Sequence, residues 1–298
     1  MKAPARTMAA IRTHRWGEDE QRLYQTLRPV FGDDIAVVFH NRPANLDLNL
    51  HLKMIDINGA WLKHKGLRAV RDWGWRCGDY FYYALREACP DYDQYWLIEP
   101  DVLFNGDAED FFDRFADVGA DALGFGLTSV PRSHPFASAM DPQLPLRRAI
   151  FALTRFSGPA LDHLLETRRA NGHEPCRPRH YANDEIFAFS HVGADDRFRL
   201  EALEAHAPQW FDDTVLTTDP DMFVDAIRLR EDAHGKIFHP ASGREAFKHA
   251  VAQRLVNRSG YLNRMTESLD CLEDSDLQDI AEKAKQSFLA TLRRQLKD

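Results

Sequence analysis

The first two-thirds of the chain alternates short apolar runs with segments of helical spacing. Short, mainly apolar runs predict strands at residues 8–12, 35–39, 95–98, 122–130 and 186–190, of which 35–39 and 95–98 are expected to be buried. Apolar residues three or four positions apart predict helices at residues 19–28, 79–89, 107–115 and 160–169. Pro29 and Pro90 stand where two of these helices should end, because proline cannot continue the hydrogen bonds of a helix.

Strands that alternate with helices in this way are typical of an α/β fold. We therefore predict a three-layer α/β domain with a mostly parallel sheet. Ligands of such sheets bind beyond the carboxyl ends of the strands. Functional side chains are thus expected in the loops that follow residues 39, 98 and 130.

The pattern changes after about Gly243, because the chain from there on lacks proline and is dominated by helical spacing. We predict a domain over residues 1–243 and a helical C-terminal extension over residues 244–298. Ser275 and Gln278 form a possible capping box at the start of the last helix. The apolar series of this helix comprises Leu277, Ile280, Ala284, Phe288, Leu292 and Leu296.

The end of the last helix is basic, with Lys285, Arg293, Arg294 and Lys297. We expect the helix to pack on the domain, with these cations favourably placed at its C-terminus. The alternative is a helix that lies on a membrane surface. Packing is favoured because only the end of the helix is basic and no Trp lies at its edge.

The composition of the chain indicates which partners the protein can bind and in which cellular compartment it is expected. Lys and Arg total 38 and Asp and Glu total 46, so the formal net charge is −8, which argues against binding of nucleic acid polymers. The chain has no apolar stretch long enough for a transmembrane helix, and its N-terminus lacks the apolar core of a signal peptide. Its four cysteines form no CxxC pair. We expect a cytoplasmic protein with reduced thiols.

Candidate chemistry lies at the end of the apolar run at residues 95–98. Glu99 and Asp101 are two residues apart, so an extended backbone directs both carboxylates to the same side. Carboxylates beside a core need a cationic partner, which is either an arginine or a divalent metal such as Mg²⁺ or Mn²⁺. The equally weighted alternative is a simple turn, in which Asp101 caps the helix near Asp107.

This segment, WLIEPDVLF at residues 96–104, resembles the DxD motif of GT-A glycosyltransferases. Three further segments resemble elements of that fold in the same order along the chain. They are Trp75–Asp79, Asn183–Phe187 and Lys236–Pro240. The resemblance extends over roughly residues 8–245 and implies a GT-A-like, Rossmann-like domain that transfers a sugar from a nucleotide-sugar donor.

The resemblance also implies roles for individual residues. Asp101 and the late His239 would hold Mn²⁺ or Mg²⁺, while Arg76, Asp79 and Glu99 would contact the nucleotide or its diphosphate. The DxD pattern has an aspartate where this chain has Glu99, so Asp101 is expected to be the main ligand. A mixed oxygen and nitrogen donor set suits these metals.

The acidic element at Asp184 and Glu185 resembles the place where inverting members hold their general base. Either carboxylate could take the proton of an acceptor hydroxyl. Asp56 indicates either a position near the nucleotide or, equally, a helix N-cap. His173, Cys176 and His180 have loose metal-ligand spacing, but an Arg- and Pro-rich surface loop is favoured.

The sequence thus predicts a glycosyltransferase that uses a nucleotide-diphosphate donor, a divalent metal and an unknown glycan, lipid or protein acceptor. A second hypothesis is a non-catalytic protein that keeps a nucleotide-sugar pocket. A third is a phosphate-ester hydrolase, which would release phosphate without an acceptor.

Overall fold

The computed structural model describes residues 5–44, 46, 48, 52–172, 181–211, 216–257 and 259–295. His173, Cys176 and His180 lie outside these residues, so the hypothesis of a metal site there stays open. The chain divides into two compact units. The first unit comprises Met1–Pro100 and Asp107–Trp210, and the second comprises Asp101–Gly106 and Phe211–Asp298.

The strands are β1 Thr7–Thr13, β2 Ile35–His40, β3 Lys53–Ile57, β4 Gln94–Ile98, β5 Leu103–Asn105, β6 Ala122–Ser129, β7 Arg147–Ser157, β8 Leu200–Ala202, β9 Met222–Phe223, β10 Lys236–Phe238 and β11 Ala241–Ser242. The helices are α1 Glu18–Phe31, α2 Gly59–His64, α3 Trp73–Arg76, α4 Gly78–Ala88, α5 Ala108–Asp113, α6 Gly158–Gly172, α7 Asp184–Ala194, α8 Val224–Arg228, α9 Arg244–Asn257, α10 Thr266–Leu269 and α11 Asp274–Gln295.

A seven-stranded sheet forms the centre of the first unit, counted over the described residues, in the order β3-β2-β1-β4-β7-β6-β8. Strands β3, β2, β1 and β4 are parallel, β7 is antiparallel to both β4 and β6, and β6 is parallel to β8. The predicted α/β class with a mostly parallel sheet is confirmed. Strands β2 and β4 are short apolar runs that are almost wholly buried, as expected for strands covered on both faces, whereas the edge strand β3 is partly exposed.

Helices cover both faces of this sheet, as the neighbouring residues of β4 illustrate. Trp96 packs against the phenyl rings of Phe111 and Phe112 on α5. Tyr95 and Leu97 belong instead to a core cluster with residues of α4, α6 and α7. Because successive side chains of a strand point to opposite faces, α5 and the α4, α6 and α7 group lie on opposite sides. The three-layer arrangement is therefore confirmed.

Two sequence predictions are wrong, namely the strand at residues 186–190 and the end of the first helix at Pro29. The apolar run at residues 186–190 is not a strand but part of α7, whose N-cap Asn183 accepts a hydrogen bond from the Ile186 amide at 3.4 Å. A short apolar run cannot distinguish a buried helix from a strand. Pro29 does not end α1 but lies inside its last turn, and the helix ends at Phe31, before the C-cap residue Gly32, whose φ is +56°.

The start of α11 also differs from the prediction. The helix begins at Asp274, so Ser275 lies inside it and cannot be its N-cap. The carboxylate that reaches back to the helix start belongs to Asp276, which accepts a hydrogen bond from the Glu273 amide at 3.1 Å. This is the reciprocal half of a capping box, with the carboxylate in place of Gln278.

The second unit contains two small sheets and a helical segment. Strand β5 pairs with β10 in antiparallel fashion, and β9 pairs with β11 in parallel. A core cluster that includes Phe247, Val251 and Ile280 joins α9 to α11. The predicted helical extension is confirmed, whereas the domain boundary after Gly243 stays a prediction. Among the described residues, no helix is both long enough and apolar enough to cross a membrane.

Candidate functional site

Asp101 and His239 meet in the second unit. His239 follows β10 directly, and Asp101 precedes β5 by two residues. The pairing of Leu103 with Phe238 brings these two ends together, and the Ala241 amide donates a hydrogen bond of 2.7 Å to the Asp101 carbonyl oxygen. The Nε2 atom of His239 lies 3.6 Å from Oδ1 of Asp101.

A backbone carbonyl orients the His239 ring. Nδ1 lies 2.6 Å from the carbonyl oxygen of Thr217, which can only accept a hydrogen bond. In the neutral imidazole, Nδ1 therefore carries the proton and Nε2 presents its lone pair on the side of Asp101. His239 is buried, with 7% of its surface exposed, so the ring is held in this orientation.

This donor set fits a divalent metal ion. Metal-bound histidines commonly donate their second ring N–H to a carbonyl or carboxylate, and Thr217 provides such an acceptor for His239. Asp101 adds a carboxylate oxygen, and its side chain is one-third exposed. A carboxylate and an imidazole can both ligate a divalent metal ion, with other coordination positions left for water and phosphate.

In the first unit, Arg12 connects the end of β1 to two acidic residues. Ile11 of β1 stands opposite Ile98 of β4, so the next residue on each strand, Arg12 and Glu99, lie side by side and form an ion pair. Arg12 also contacts Asp184, with Nη1 3.3 Å from Oδ2. Arg12 is therefore a cationic partner for both carboxylates.

Asp184 is held from three sides at the start of α7. Its Oδ2 accepts a hydrogen bond of 2.7 Å from the Gly78 amide at the start of α4, and its Oδ1 accepts one of 2.9 Å from the Glu185 amide. Only 3% of the residue is exposed. Burial, reinforced by the charges of Glu185 and Asp79 and opposed by that of Arg12, raises the pKa of Asp184 to about 7.

Glu185 is less enclosed than Asp184. It is half-buried, and the side-chain amide of Asn183 donates to it at 3.4 Å. Burial and, to a smaller extent, the negative charge of Glu99 raise the pKa of Glu185, while the cations Arg148 and Arg12 oppose the shift. A partly accessible carboxylate with a raised pKa is suited to accept a proton near neutral pH.

Asp79 forms a buried ion pair with Arg168. Nε of Arg168 lies 2.6 Å and Nη2 3.1 Å from its carboxylate, and both side chains are only 1% exposed. The Tyr83 hydroxyl donates a further bond of 2.8 Å. The Arg168 guanidinium also stacks on the ring of Phe187 at 3.6 Å. These contacts tie α4 to α6 and α7, and direct binding of a nucleotide by Asp79 stays a prediction.

Arg76 ends the short helix α3 and is buried, with 4% of its surface exposed. Its Nη2 donates a bond of 2.6 Å to the Tyr181 carbonyl, and its guanidinium lies over the ring of Phe136 at 4.9 Å. Like Asp79, Arg76 thus has protein partners, and contact with a diphosphate stays a prediction.

Asp56 lies in β3, where Arg42 donates two hydrogen bonds to its carboxylate at 2.7 and 2.8 Å. The N-cap interpretation is wrong, because Asn58 is the residue that caps α2. Asp56 and Arg42 line a cavity of about 400 Å³ that also includes Asn41 and Ile57. This cavity is at the carboxyl ends of β2 and β3, where parallel sheets bind ligands.

The capping role considered for Asp101 is also wrong. Helix α5 is capped by Asp107, whose carboxylate accepts a hydrogen bond of 2.9 Å from the Glu109 amide. Asp101 lies before β5 and takes no part in this helix start.

Arg12, Arg42 and Thr217 were not among the residues that sequence reasoning selected. Arg12 and Arg42 each lie at or just after the carboxyl end of a predicted strand. Because α/β sheets bind ligands there, this position could have identified both residues as candidates. Nothing in the sequence marks Thr217, because it acts through its backbone carbonyl.

No family model and no curated protein matches the chain. Among solved structures, it is similar to mouse xyloside xylosyltransferase 1 in its apo form, with 14% identity over 78% of this chain and 97% of that chain and a TM-score of 0.38. It is also similar to a glycosyltransferase involved in the glycosylation of the major capsid of PBCV-1, with 10% identity over 78% and 92% of the two chains and a TM-score of 0.39. For an inositol-1-phosphate CTP transferase from T. maritima, the values are 10% identity, 67% and 86% coverage and a TM-score of 0.37.

Proposed function

We propose that the protein is a cytoplasmic glycosyltransferase that moves a sugar from a nucleotide-diphosphate donor to an acceptor hydroxyl and that requires Mn²⁺ or Mg²⁺. The observation that carries this proposal is the pair of Asp101 and His239. A histidine whose Nδ1 faces the Thr217 carbonyl, with Nε2 beside a carboxylate, has the geometry of a metal ligand.

The bound metal would supply positive charge to the diphosphate that leaves the sugar. The side chains of the protein would hold the metal ion in position. Asp101 would bind through its carboxylate and His239 through Nε2, and the Thr217 carbonyl would keep the imidazole in the required tautomer. The small β5 and β10 sheet fixes the two ligand-bearing segments relative to each other.

Of the two acidic residues at the start of α7, we assign Glu185 as the general base and Asp184 as a positioning residue. Asp184 is buried and already accepts from the Gly78 amide and from Arg12, whereas Glu185 is partly accessible. Glu185 would take the proton of the acceptor hydroxyl as the sugar is transferred. Asp184 would anchor the first turn of α7 to α4 and β1.

The nucleotide part of the donor is assigned to the cavity beside Asp56 and Arg42. Its volume of about 400 Å³ and its position beyond β2 and β3 support this assignment. Glu99, Arg76 and Asp79 are further nucleotide-contact candidates from the GT-A resemblance. Their present contacts favour an indirect role for Asp79, through its ion pair with Arg168.

The proposal is tested by incubating the purified protein with a panel of UDP- and GDP-sugars and a mixture of glycan, lipid and peptide acceptors. Release of the nucleoside diphosphate is measured with Mn²⁺, with Mg²⁺ and with EDTA. We expect release that needs the metal and that Asp101→Asn abolishes. Asp232→Asn is the matched control, because Asp232 is an exposed carboxylate of the same unit that forms a surface ion pair with Arg230.

Release that continues in EDTA, or that Asp101→Asn leaves intact, would contradict the metal-dependent mechanism. Thermal stabilisation by a nucleoside diphosphate without any turnover would support the non-catalytic binding protein instead. Release of inorganic phosphate without an acceptor would favour a phosphate-ester hydrolase.

A further inference from the structure

Over its described residues, the C-terminal half of helix α11 presents three large apolar side chains to solvent. Phe288 is 54% exposed, Leu289 40% and Leu292 36%. These three residues, called the apolar stripe below, fall within five consecutive positions of one helix. Large apolar side chains that are exposed together, unlike single ones, mark interaction surfaces.

The packing of α11 on α9 does not cover the apolar stripe. A helix turns by about 100° per residue, which places the stripe and the exposed Lys285 on one side. Ile280 and Ala284 pack into the core cluster shared with α9, and the Ser287 hydroxyl bonds to Gln253 of α9 at 3.4 Å. These inward-facing residues lie on a different side of the helix from the stripe.

The acidic and the basic residues of α11 lie in different halves of the helix. Its carboxylates, Asp274, Asp276, Asp279 and Glu282, all belong to the first nine residues. Residues 283–297 contain five Lys or Arg and no Asp or Glu. Among the described side chains of this half, Lys285 and Arg293 are exposed, and Nζ of Lys285 lies 3.3 Å from Oε2 of Glu282 in a surface ion pair. The apolar stripe therefore lies within the cationic half of the helix.

We propose that the apolar stripe binds an anionic membrane surface. Phe288, Leu289 and Leu292 would enter the boundary between headgroups and acyl chains, and the neighbouring cations would contact the lipid phosphates. An amphipathic helix that combines exposed aromatic and aliphatic residues with Lys and Arg has the properties needed for such binding. Each cation near an anionic surface increases the affinity about fivefold, and high salt removes this contribution.

The charges also argue against two other partners for the apolar stripe, which are a second copy of this chain and a nucleic acid. In a two-fold dimer formed through this face, Lys285 and Arg293 of one copy would lie near those of the other, and residues 283–297 contain no Asp or Glu that could pair with them. A nucleic acid would engage the cations but leave the exposed Phe and Leu side chains without a partner, and the chain as a whole carries a net charge of −8.

The proposal is tested by co-sedimentation of the full chain with vesicles of phosphatidylcholine alone and of phosphatidylcholine with 30% phosphatidylserine. We expect binding to the anionic vesicles only, weakened by 0.5 M NaCl. The triple variant Phe288→Ser, Leu289→Ser, Leu292→Ser should lower the bound fraction at least about tenfold. The double variant Lys285→Glu, Arg293→Glu should have a similar effect.

Leu277→Ser is the matched control, because Leu277 is 49% exposed but lies in the acidic half of the same helix. This variant should bind vesicles as the wild type does. Unchanged thermal melting of the triple variant would show that it is folded, as expected for exposed positions. Failure of the wild type to bind anionic vesicles would overturn the proposal, as would a dimer that the triple variant dissociates. Turnover is not measured, so the outcome is independent of the proposed glycosyl transfer.

Discussion

Nδ1 of His239 lies 2.6 Å from the carbonyl oxygen of Thr217, and this contact determines which ring nitrogen carries the proton in the neutral imidazole. The carbonyl accepts a hydrogen bond from Nδ1–H, so in the neutral ring the lone pair is on Nε2, which lies 3.6 Å from Oδ1 of Asp101. The contact involves only the backbone of Thr217. This backbone contact orients the buried His239 ring as a potential metal ligand, with Nε2 on the side of Asp101.

Replacement of Glu185 by glutamine should lower kcat by about 10²- to 10⁴-fold, because the amide cannot accept the acceptor proton. Metal affinity and thermal stability should stay at wild-type values, since the change is isosteric and the residue is half-buried. Nucleoside diphosphate release under saturating donor measures the effect. Glu166→Gln, at an exposed position of α6, is the control. A Glu185→Gln variant with full kcat would exclude this residue as the base.

The ionisation of Asp184 should make stability depend on pH. Its pKa is about 7 in the folded protein and near 3.8 when unperturbed, so the folded state holds this proton over a range in which the unfolded state has lost it. This contribution to stability is present below about pH 4, declines as the pH rises towards 7 and is absent above. The free energy of unfolding relative to Asp184→Asn, measured in urea at pH 5 to 8, should therefore fall with rising pH. A difference that stays constant over this range would contradict the raised pKa.

Gly78→Ala should destabilise the first unit by at least about 1–3 kcal/mol. A Cβ at this position would lie 1.8 Å from Nη1 of Arg12, 2.6 Å from Oδ2 of Asp184 and 2.7 Å from the Phe151 ring. All three groups are buried, and the two charged ones are paired with each other, so they have little room to move. Gly59→Ala is the control, since a Cβ there meets nothing within 4 Å. Chemical denaturation compares the two variants, and equal stability would show that the Gly78 environment can relax.

Asp79→Asn should cost about 3–5 kcal/mol of stability, because it leaves the buried Arg168 guanidinium without its counter-charge. Asp162→Asn removes the partner of Arg86 in a solvent-exposed ion pair and should cost less than about 1 kcal/mol. Urea denaturation of both variants measures the contrast. If Asp79→Asn were as stable as the control but bound nucleotide weakly, Asp79 would be a ligand contact and not a structural one.

The strands were predictable where an apolar run is bounded by polar residues, as at β2 and β4. The same criterion failed at residues 186–190, because a buried helix can be equally apolar over five positions. The same criterion also failed to predict β7, because Arg and Thr residues interrupt its apolar residues. Arg155 in this strand is buried and donates to the backbone carbonyls of Phe115 and Ala120, which a polarity pattern cannot reveal.

The candidate site residues could be selected from the sequence as residue types at strand ends, but their contact partners could not. The pairing of Arg12 with Glu99 depends on β1 lying beside β4, and spacing along the chain does not encode the order of strands in a sheet. The approach of Asp101 to His239 joins residues that are 138 positions apart, through the pairing of β5 with β10. Only the resemblance to GT-A glycosyltransferases indicated that these two belong together.

The most direct test of the central claim is a titration of the purified protein with Mn²⁺, followed by the paramagnetic resonance signal of the free ion. The wild type should bind the ion, and Asp101→Asn and His239→Gln should each weaken binding at least about tenfold, while Asp232→Asn should leave it unchanged. Binding of Mn²⁺ that is unaffected by either ligand substitution, or a wild-type protein that binds no Mn²⁺, would contradict the assignment of Asp101 and His239 as the metal site.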